Sequence, residues 1–185
     1  GLPEEAELKY RLGKLLIEKQ NDTVQAIDVF ETVLQLRPDH TPTVTALEAL
    51  VMDPEHQQRI TEILEPIYRG ADQWKKLVAV LEAQASATED PYEKRTTLSE
   101  VGRLHEERGN DPRMAFEAWA RAFAAESIEE EPRAEVDRLA GLLDSWNEHV
   151  AAYEQAIQVA QDPALKTQLL AMVARVHDEK RGDPR

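Results

Sequence analysis

Residues 74–113 of the chain recur at 146–185, at a constant offset of 72 and without a gap. Trp74 returns as Trp146, Asp90-Pro91 as Asp162-Pro163, His105 as His177, and Asp111-Pro112-Arg113 as Asp183-Pro184-Arg185. Of the 40 aligned positions, 15 are identical. An echo of this length commits a chain to stacked copies of one supersecondary unit, each burying its apolar face against the next. Such a fold offers a surface rather than a chemical cleft. The repeat therefore narrows function before any single residue is considered.

The punctuation between units is regular. Five of the ten prolines follow aspartate: Pro54, Pro91, Pro112, Pro163 and Pro184. Aspartate caps a helix because its carboxylate accepts from the orphan amides of the first turn, and proline suits the next position, which needs no donor. Asp53, Asp90, Asp111 and Asp162 are thus expected to start helices, as is Asp22 without a proline. Glu93, three residues after Asp90, is expected to complete a capping box.

Apolar residues fill the intervals at helical spacing. Examples are Leu8, Leu12, Leu15 and Leu16; Ala26, Phe30, Val33 and Leu34; Leu98, Val101 and Leu104; and Val150, Tyr153 and Ile157. No segment alternates as a strand would. The pattern predicts about ten helices: 4–19, 23–36, 41–51, 54–69, 73–87, 91–108, 112–125, 132–143, 146–160 and 163–181. Links this short force successive helices to be roughly antiparallel. Pro66 is expected to kink or split the fourth helix.

The first helix pair matches 101–123 at an offset of 89 rather than 72: Gly13 with Gly102, Leu15 with Leu104, Asn21-Asp22 with Asn110-Asp111. The difference of 17 residues is one extra helix with its turn, placed at about 41–52. A single repeat domain over 1–185 is expected. Asp183-Pro184 reads as the opening of another helix, so the chain is expected to be an excerpt from a longer array.

The first pair reads Tyr10-x-Leu12-Gly13 with Leu16, then Ala26, Phe30, Val33 and Pro38. That order resembles a tetratricopeptide (TPR) repeat, with an aromatic and a Leu-Gly pair on helix A and small and aromatic residues before a proline on helix B. The second pair keeps Gly102, Leu104, Ala115 and Trp119 but has Ser127 where the proline would stand, and the third has Ala174 in place of glycine. The resemblance implies an α-solenoid of antiparallel hairpins. It also implies that extended peptides bind along the face lined by helix A. Small residues at Gly13, Gly102 and Ala26 would let paired helices approach closely.

The chain carries 22 basic and 36 acidic residues, a formal net charge of −14. That opposes general nucleic-acid binding, which needs cations to displace phosphate counterions, and favours a basic partner. No stretch is apolar enough to span a bilayer. The acidic opening Gly1-Leu2-Pro3-Glu4-Glu5 lacks the basic-then-apolar order of a signal peptide. With no cysteine, thiolate sites and disulfides are excluded. No nucleophile elbow, Gly-rich phosphate loop or His-Glu-x-x-His motif is present, so the sequence points to no catalytic residue, cofactor or metal. His105-Glu106-Glu107 and His177-Asp178-Glu179 read as a solvated helix face duplicated with its repeat, while His40, His56 and His149 stand isolated. Trp74, Trp119 and Trp146 read as packing residues.

One polar pattern recurs on helix A: Lys14 with Glu18, Arg103 with Glu107, and Arg175 with Glu179. A ladder of alternating charge suits a peptide, and these six residues are the candidate partner-binding set. The competing reading is an i,i+4 pair that supports an exposed helix. The sequence thus leads to an all-α, TPR-like solenoid that is not an enzyme and binds a protein or peptide. The alternatives are a self-associating module and a regulatory helical domain of a larger enzyme.

Overall fold

The computed structural model describes residues 1–181 and is all-α, with no strand among the described residues. Its helices are α1 (Leu2–Leu15), α2 (Thr23–Leu36), α3 (Thr41–Leu50), α4 (Gln57–Gly70) and α5 (Trp74–Ala87). They continue as α6 (Pro91–Glu107), α7 (Pro112–Ala125), α8 (Glu130–Leu143), α9 (Trp146–Val159) and α10 (Pro163–Val176). Two π-helical turns, Leu16–Gln20 and His177–Arg181, prolong α1 and α10. No described helix is long and apolar enough to cross a membrane.

The chain divides into two compact units, Gly1–Ala83 and Gln84–Arg185, where the sequence reading expects one repeat domain. In the first, α1 packs on α2, α2 on α3 and α3 on α4. In the second, α7 sits at the centre, packed against α6, α8 and α9, and α10 closes on α9. Helices stacked in chain order are the solenoid arrangement that the repeat predicts. The core of the second unit is one cluster, with Trp119, Phe123, Val136, Leu139, Tyr153 and Leu169 all buried.

The repeat is visible in the backbone itself. Asp72 and Asp144, offset by 72, both take left-handed φ values, 55° and 51°. The residue after each donates its amide to a carbonyl five back, Gln73 to Tyr68 and Ser145 to Ala140. Asn21 and Asn110, offset by 89, have φ of 54° and 50°. Asparagine tolerates this region better than most residues. The amides after them also match, with Asp22 bonding Leu16 and Asp111 bonding His105. The inserted helix is α3. The third copy of this turn, Gly182-Asp183, lies outside the described residues, as does the expected helix start at Asp183-Pro184.

The two glycines of the first two hairpins are packing residues. A β-carbon on Gly102 would stand 2.6 Å from Nε1 of Trp119, and one on Gly13 would overlap the edge of the Phe30 ring. Only hydrogen at these positions lets the paired helix seat its aromatic ring.

The aspartate caps form at four of the five expected positions. Asp22 accepts from the amide of Gln25, Asp111 from Arg113 and Met114, and Asp162 from Ala164. Asp90 accepts from Tyr92 and Glu93. The capping box there is replaced by a relay: the Asp90 amide donates to Thr88 Oγ1 at 3.2 Å, and that hydroxyl donates to Glu93 at 2.8 Å. Replacing Asp90 by alanine is expected to lower stability by about 1 kcal/mol. The check is a fall in the urea midpoint at unchanged slope. An unmoved midpoint would mean that the threonine relay holds the turn by itself.

The helix start expected at Asp53 is corrected. Asp53 does not cap a helix. Its carboxylate accepts from Glu55 at 3.1 Å and its carbonyl from His56 and Gln57, so Asp53-Pro54 closes a turn and α4 begins later, from His56. The same side chain can cap a helix or close an Asx-type turn, and the bonds to its own neighbours prevail here. Of the kink or split expected at Pro66, the split does not occur: α4 continues through it to Gly70. Leu8, Leu12 and Leu15 follow helical spacing yet are exposed; the buried residues of α1 are Ala6 and Gly13, and Gly13 meets the Phe30 ring of α2.

Candidate partner-binding surfaces

The inserted helix α3 creates an open groove in the first unit. Its walls are Val51 and Met52 just past α3, Leu64 and Tyr68 on α4, and Ala79, Val80 and Ala83 on α5, around a volume of about 290 Å³. Met52 is exposed at its mouth. One edge is polar and tightly organised. Tyr68 donates its hydroxyl to Glu48 Oε1 at 2.6 Å, and Lys76 Nζ approaches the same oxygen at 2.6 Å while lying 5.4 Å over the tyrosine ring.

Burial pushes the Glu48 carboxyl up, but the hydrogen bonds from Lys76 and Tyr68 and the lysine charge outweigh it, so the pKa falls below the usual value. The Tyr68 phenol is raised by burial first and by its bond to Glu48 second. The bracket ties α3, α4 and α5 together and holds the groove in shape. It combines an apolar floor with a few placed polar groups, the usual build of a site for a small apolar side chain.

A second groove of about 450 Å³ runs between α2 and α4, lined by Glu31, Leu34, Arg59, Ile63 and Pro66. Arg59 spans it, paired with Asp28 and, at 3.1 Å, with Glu31. Its hydrogen bond to Glu31 keeps the guanidinium pKa above the ordinary value despite partial burial. This groove is more charged and already bridged.

The recurring charge pairs are not equivalent in space. Lys14 and Glu18 form an exposed i,i+4 pair at 3.4 Å. Arg103 reaches across to Glu131 of α8 at 2.6 Å and lies 5.5 Å over the ring of Trp119, while Glu107 is exposed. Arg175 and Glu179 are exposed, with no ion pair between them among the described residues. Each pair stays on its own hairpin, and one of its cations is engaged in joining helices. Arg138, bonded to Glu106 at 2.6 Å across α6 and α8, has the same joining role.

Two histidines read as isolated are in fact built in. His40 is buried, with Nδ1 2.7 Å from Thr43 Oγ1 and Nε2 3.6 Å from Glu7. The Tyr10 ring meets it edge-on. His149, also buried, places Nε2 2.7 Å from Asp137, and Tyr153 donates to the same carboxylate oxygen at 2.8 Å. Nδ1 of His149 has no partner. Burial and the Asp137 charge push the Tyr153 phenol far above its ordinary pKa. In the other copy of the repeat, Leu77 and Leu81 occupy the positions of His149 and Tyr153, and both are buried. A polar cluster thus stands where its duplicate has plain packing.

Neither histidine belongs to a metal-binding group, and no set of three or more His, Asp or Glu side chains among the described residues could hold an ion. Trp119 is buried; Trp74 and Trp146 are half-buried, and Trp146 packs on the core of the second unit. His56 lies 4.0 Å from Asp53, and His105 and His177 are half-buried at matching repeat positions. Comparison with protein-family models gives no match, and comparison with curated proteins gives none either.

Proposed function

We propose that the chain is a non-catalytic, TPR-like repeat scaffold that binds a protein or peptide partner. The observation that carries this reading is the α3–α4–α5 groove: an open apolar trough with an organised polar edge, built from a helix inserted into the repeat. Its volume of about 290 Å³ has room for an aliphatic or thioether side chain of a partner, with the partner's backbone near Tyr68, Glu48 and Lys76. The net charge of −14 supports a partner with basic residues around that anchor.

The test is selection of displayed 12-residue peptides on the immobilised chain, followed by titration of the selected sequences. Peptides with one apolar anchor and flanking lysine or arginine are expected. Ala79→Arg combined with Met52→Glu, both at exposed groove positions, should weaken them at least tenfold, a cost of about 1.4 kcal/mol. The triple reversal Lys14→Glu, Arg103→Glu, Arg175→Glu should leave them bound. Loss of binding only in the triple reversal would move the site to the helix A ladder. Failure to recover any saturable peptide would end the peptide-scaffold reading.

A further inference from the structure

The polar edge of the α3–α5 groove has bonding capacity that the fold leaves unused. Tyr68 and Lys76 both meet Glu48 through Oε1, at 2.6 Å each. Among the described residues, Oε2 of Glu48 has no hydrogen bond or ion pair. The ammonium of Lys76 carries three donors, and its bond to Glu48 uses one. Both side chains are partly open to solvent, 33% for Glu48 and 51% for Lys76.

The repeat itself does not need this bracket. At the offset of 72, Tyr68 and Lys76 correspond to Ala140 and Glu148, and Glu148 turns to Arg113 at 3.1 Å. The duplicate stacks its helices without the arrangement, which belongs to the groove that α3 builds.

The unused groups lie on one rim and differ in sign. Glu48 stays ionised, since the bonds from Lys76 and Tyr68 hold its pKa below the usual value. Its free oxygen suits a cation, and the spare donors of Lys76 suit a carbonyl oxygen. The charge of Lys76 is already answered by Oε1 and by the tyrosine ring 5.4 Å away. Beside this rim the lining is apolar, with Val51, Leu64, Ala79 and Val80. The first residue of a polypeptide carries all three matching parts: an ammonium, a carbonyl and a side chain on the carbon between them. An internal residue would offer Glu48 a neutral amide and forgo the attraction between two full charges. The interior of a helix would offer neither group, because its backbone bonds are made internally.

We infer that the α3–α5 groove captures the free N-terminus of a partner polypeptide whose first residue is aliphatic or methionine. The α-ammonium pairs with Glu48 Oε2, the first carbonyl accepts from Lys76 Nζ, and the side chain lies against Leu64 and Val80. This rests on the groove reading proposed above and deepens it, by naming the part of the partner that is read.

The probe is a hexapeptide opening on leucine and labelled with fluorescein at its last residue, titrated with the full chain and followed by anisotropy. The free-amine peptide should saturate, and its N-acetylated twin should bind at least tenfold more weakly. An α-ammonium loses its proton near about pH 8. Pairing with Glu48 raises that pKa in the complex, so the free peptide should weaken as pH rises from about 7 to about 9. The twin should show no such fall. The titratable side chains lining the groove are Glu48, Tyr68 and Lys76, and burial and Glu48 push the Tyr68 phenol above this range. Glu48→Gln, which keeps an acceptor for Tyr68, should abolish both the preference and the pH dependence with the helical circular-dichroism signal unchanged.

Equal binding of the two peptides to the unaltered chain would overturn the inference and leave the peptide-scaffold reading in place. A preference for the free amine that persists in the Glu48→Gln protein would overturn it too, by placing the terminus elsewhere. So would the absence of saturation up to about 1 mM peptide while displayed internal sequences still bind. If neither class of peptide binds, both readings fall.

Discussion

Trp119→Ala is expected to lower the unfolding free energy by about 3–5 kcal/mol, seen as a large fall in the urea midpoint. Trp119 is the largest fully buried side chain in the chain, seated in the core of the second unit. Its removal opens a cavity between α6 and α7 that neighbouring residues fill only in part. The loss is tempered by one defect: Nε1 of Trp119 is buried without a partner. A phenylalanine, which has no such donor, should therefore recover more than half of the loss.

The sharper test uses Gly102. Alanine there alone must push against the indole at 2.6 Å, an overpacking cost of about 1–3 kcal/mol, against a gain of about 1 kcal/mol in helix propensity. In the Trp119→Ala background the steric cost disappears and the propensity gain remains. Gly102→Ala should then change sign, from destabilising to stabilising. If the two substitutions simply add, the glycine is not there to seat the ring.

Asp137→Ala is expected to cost about 2–4 kcal/mol, the sum of two buried donors losing their acceptor at about 1–3 kcal/mol each, reduced by the partial exposure of Asp137 itself. Tyr153 Oη and His149 Nε2 both meet one carboxylate oxygen, Oδ1 of Asp137, at 2.8 and 2.7 Å. In a His149→Leu, Tyr153→Phe background the same substitution should cost little, because no donor remains to be orphaned. The duplicate with Leu77 and Leu81 shows that the fold accommodates apolar residues at both positions. Urea unfolding of the four proteins closes the cycle. A cost for Asp137→Ala that is equal in both backgrounds would show that the carboxylate acts on the helix and not on the two rings.

The fold was legible because its signals are local. Asp-Pro pairs state where helices begin, and the offsets of 72 and 89 state which helices are equivalent, down to the left-handed residues Asp72 and Asp144. The failures come from places where the same local signal serves two structures. Asp53-Pro54 carries a cap signature and closes a turn. Leu8, Leu12 and Leu15 carry a core signature and face solvent, because periodicity reports an apolar face without reporting its neighbour.

The candidate sites were less legible for a related reason. The groove exists only where α3 meets α4 and α5, so Glu48, Tyr68 and Lys76, 20 and 28 residues from one another's partner, carry no motif. Asp137 lies 12 residues before His149, on a different helix, and nothing in the spacing announces the pair. The recurring Lys/Arg–Glu pattern was readable, but Arg103 turns to Glu131, a choice made by the neighbouring helix.

Every substantial helix contact in the two units joins elements adjacent or next-but-one along the chain. Within either unit, tension along the chain would therefore meet a series of local closures instead of one clamp spanning distant segments. Hairpins would yield one after another at modest force and re-form quickly on release, since no long loop has to close again. A chain built this way behaves as a spring with discrete steps.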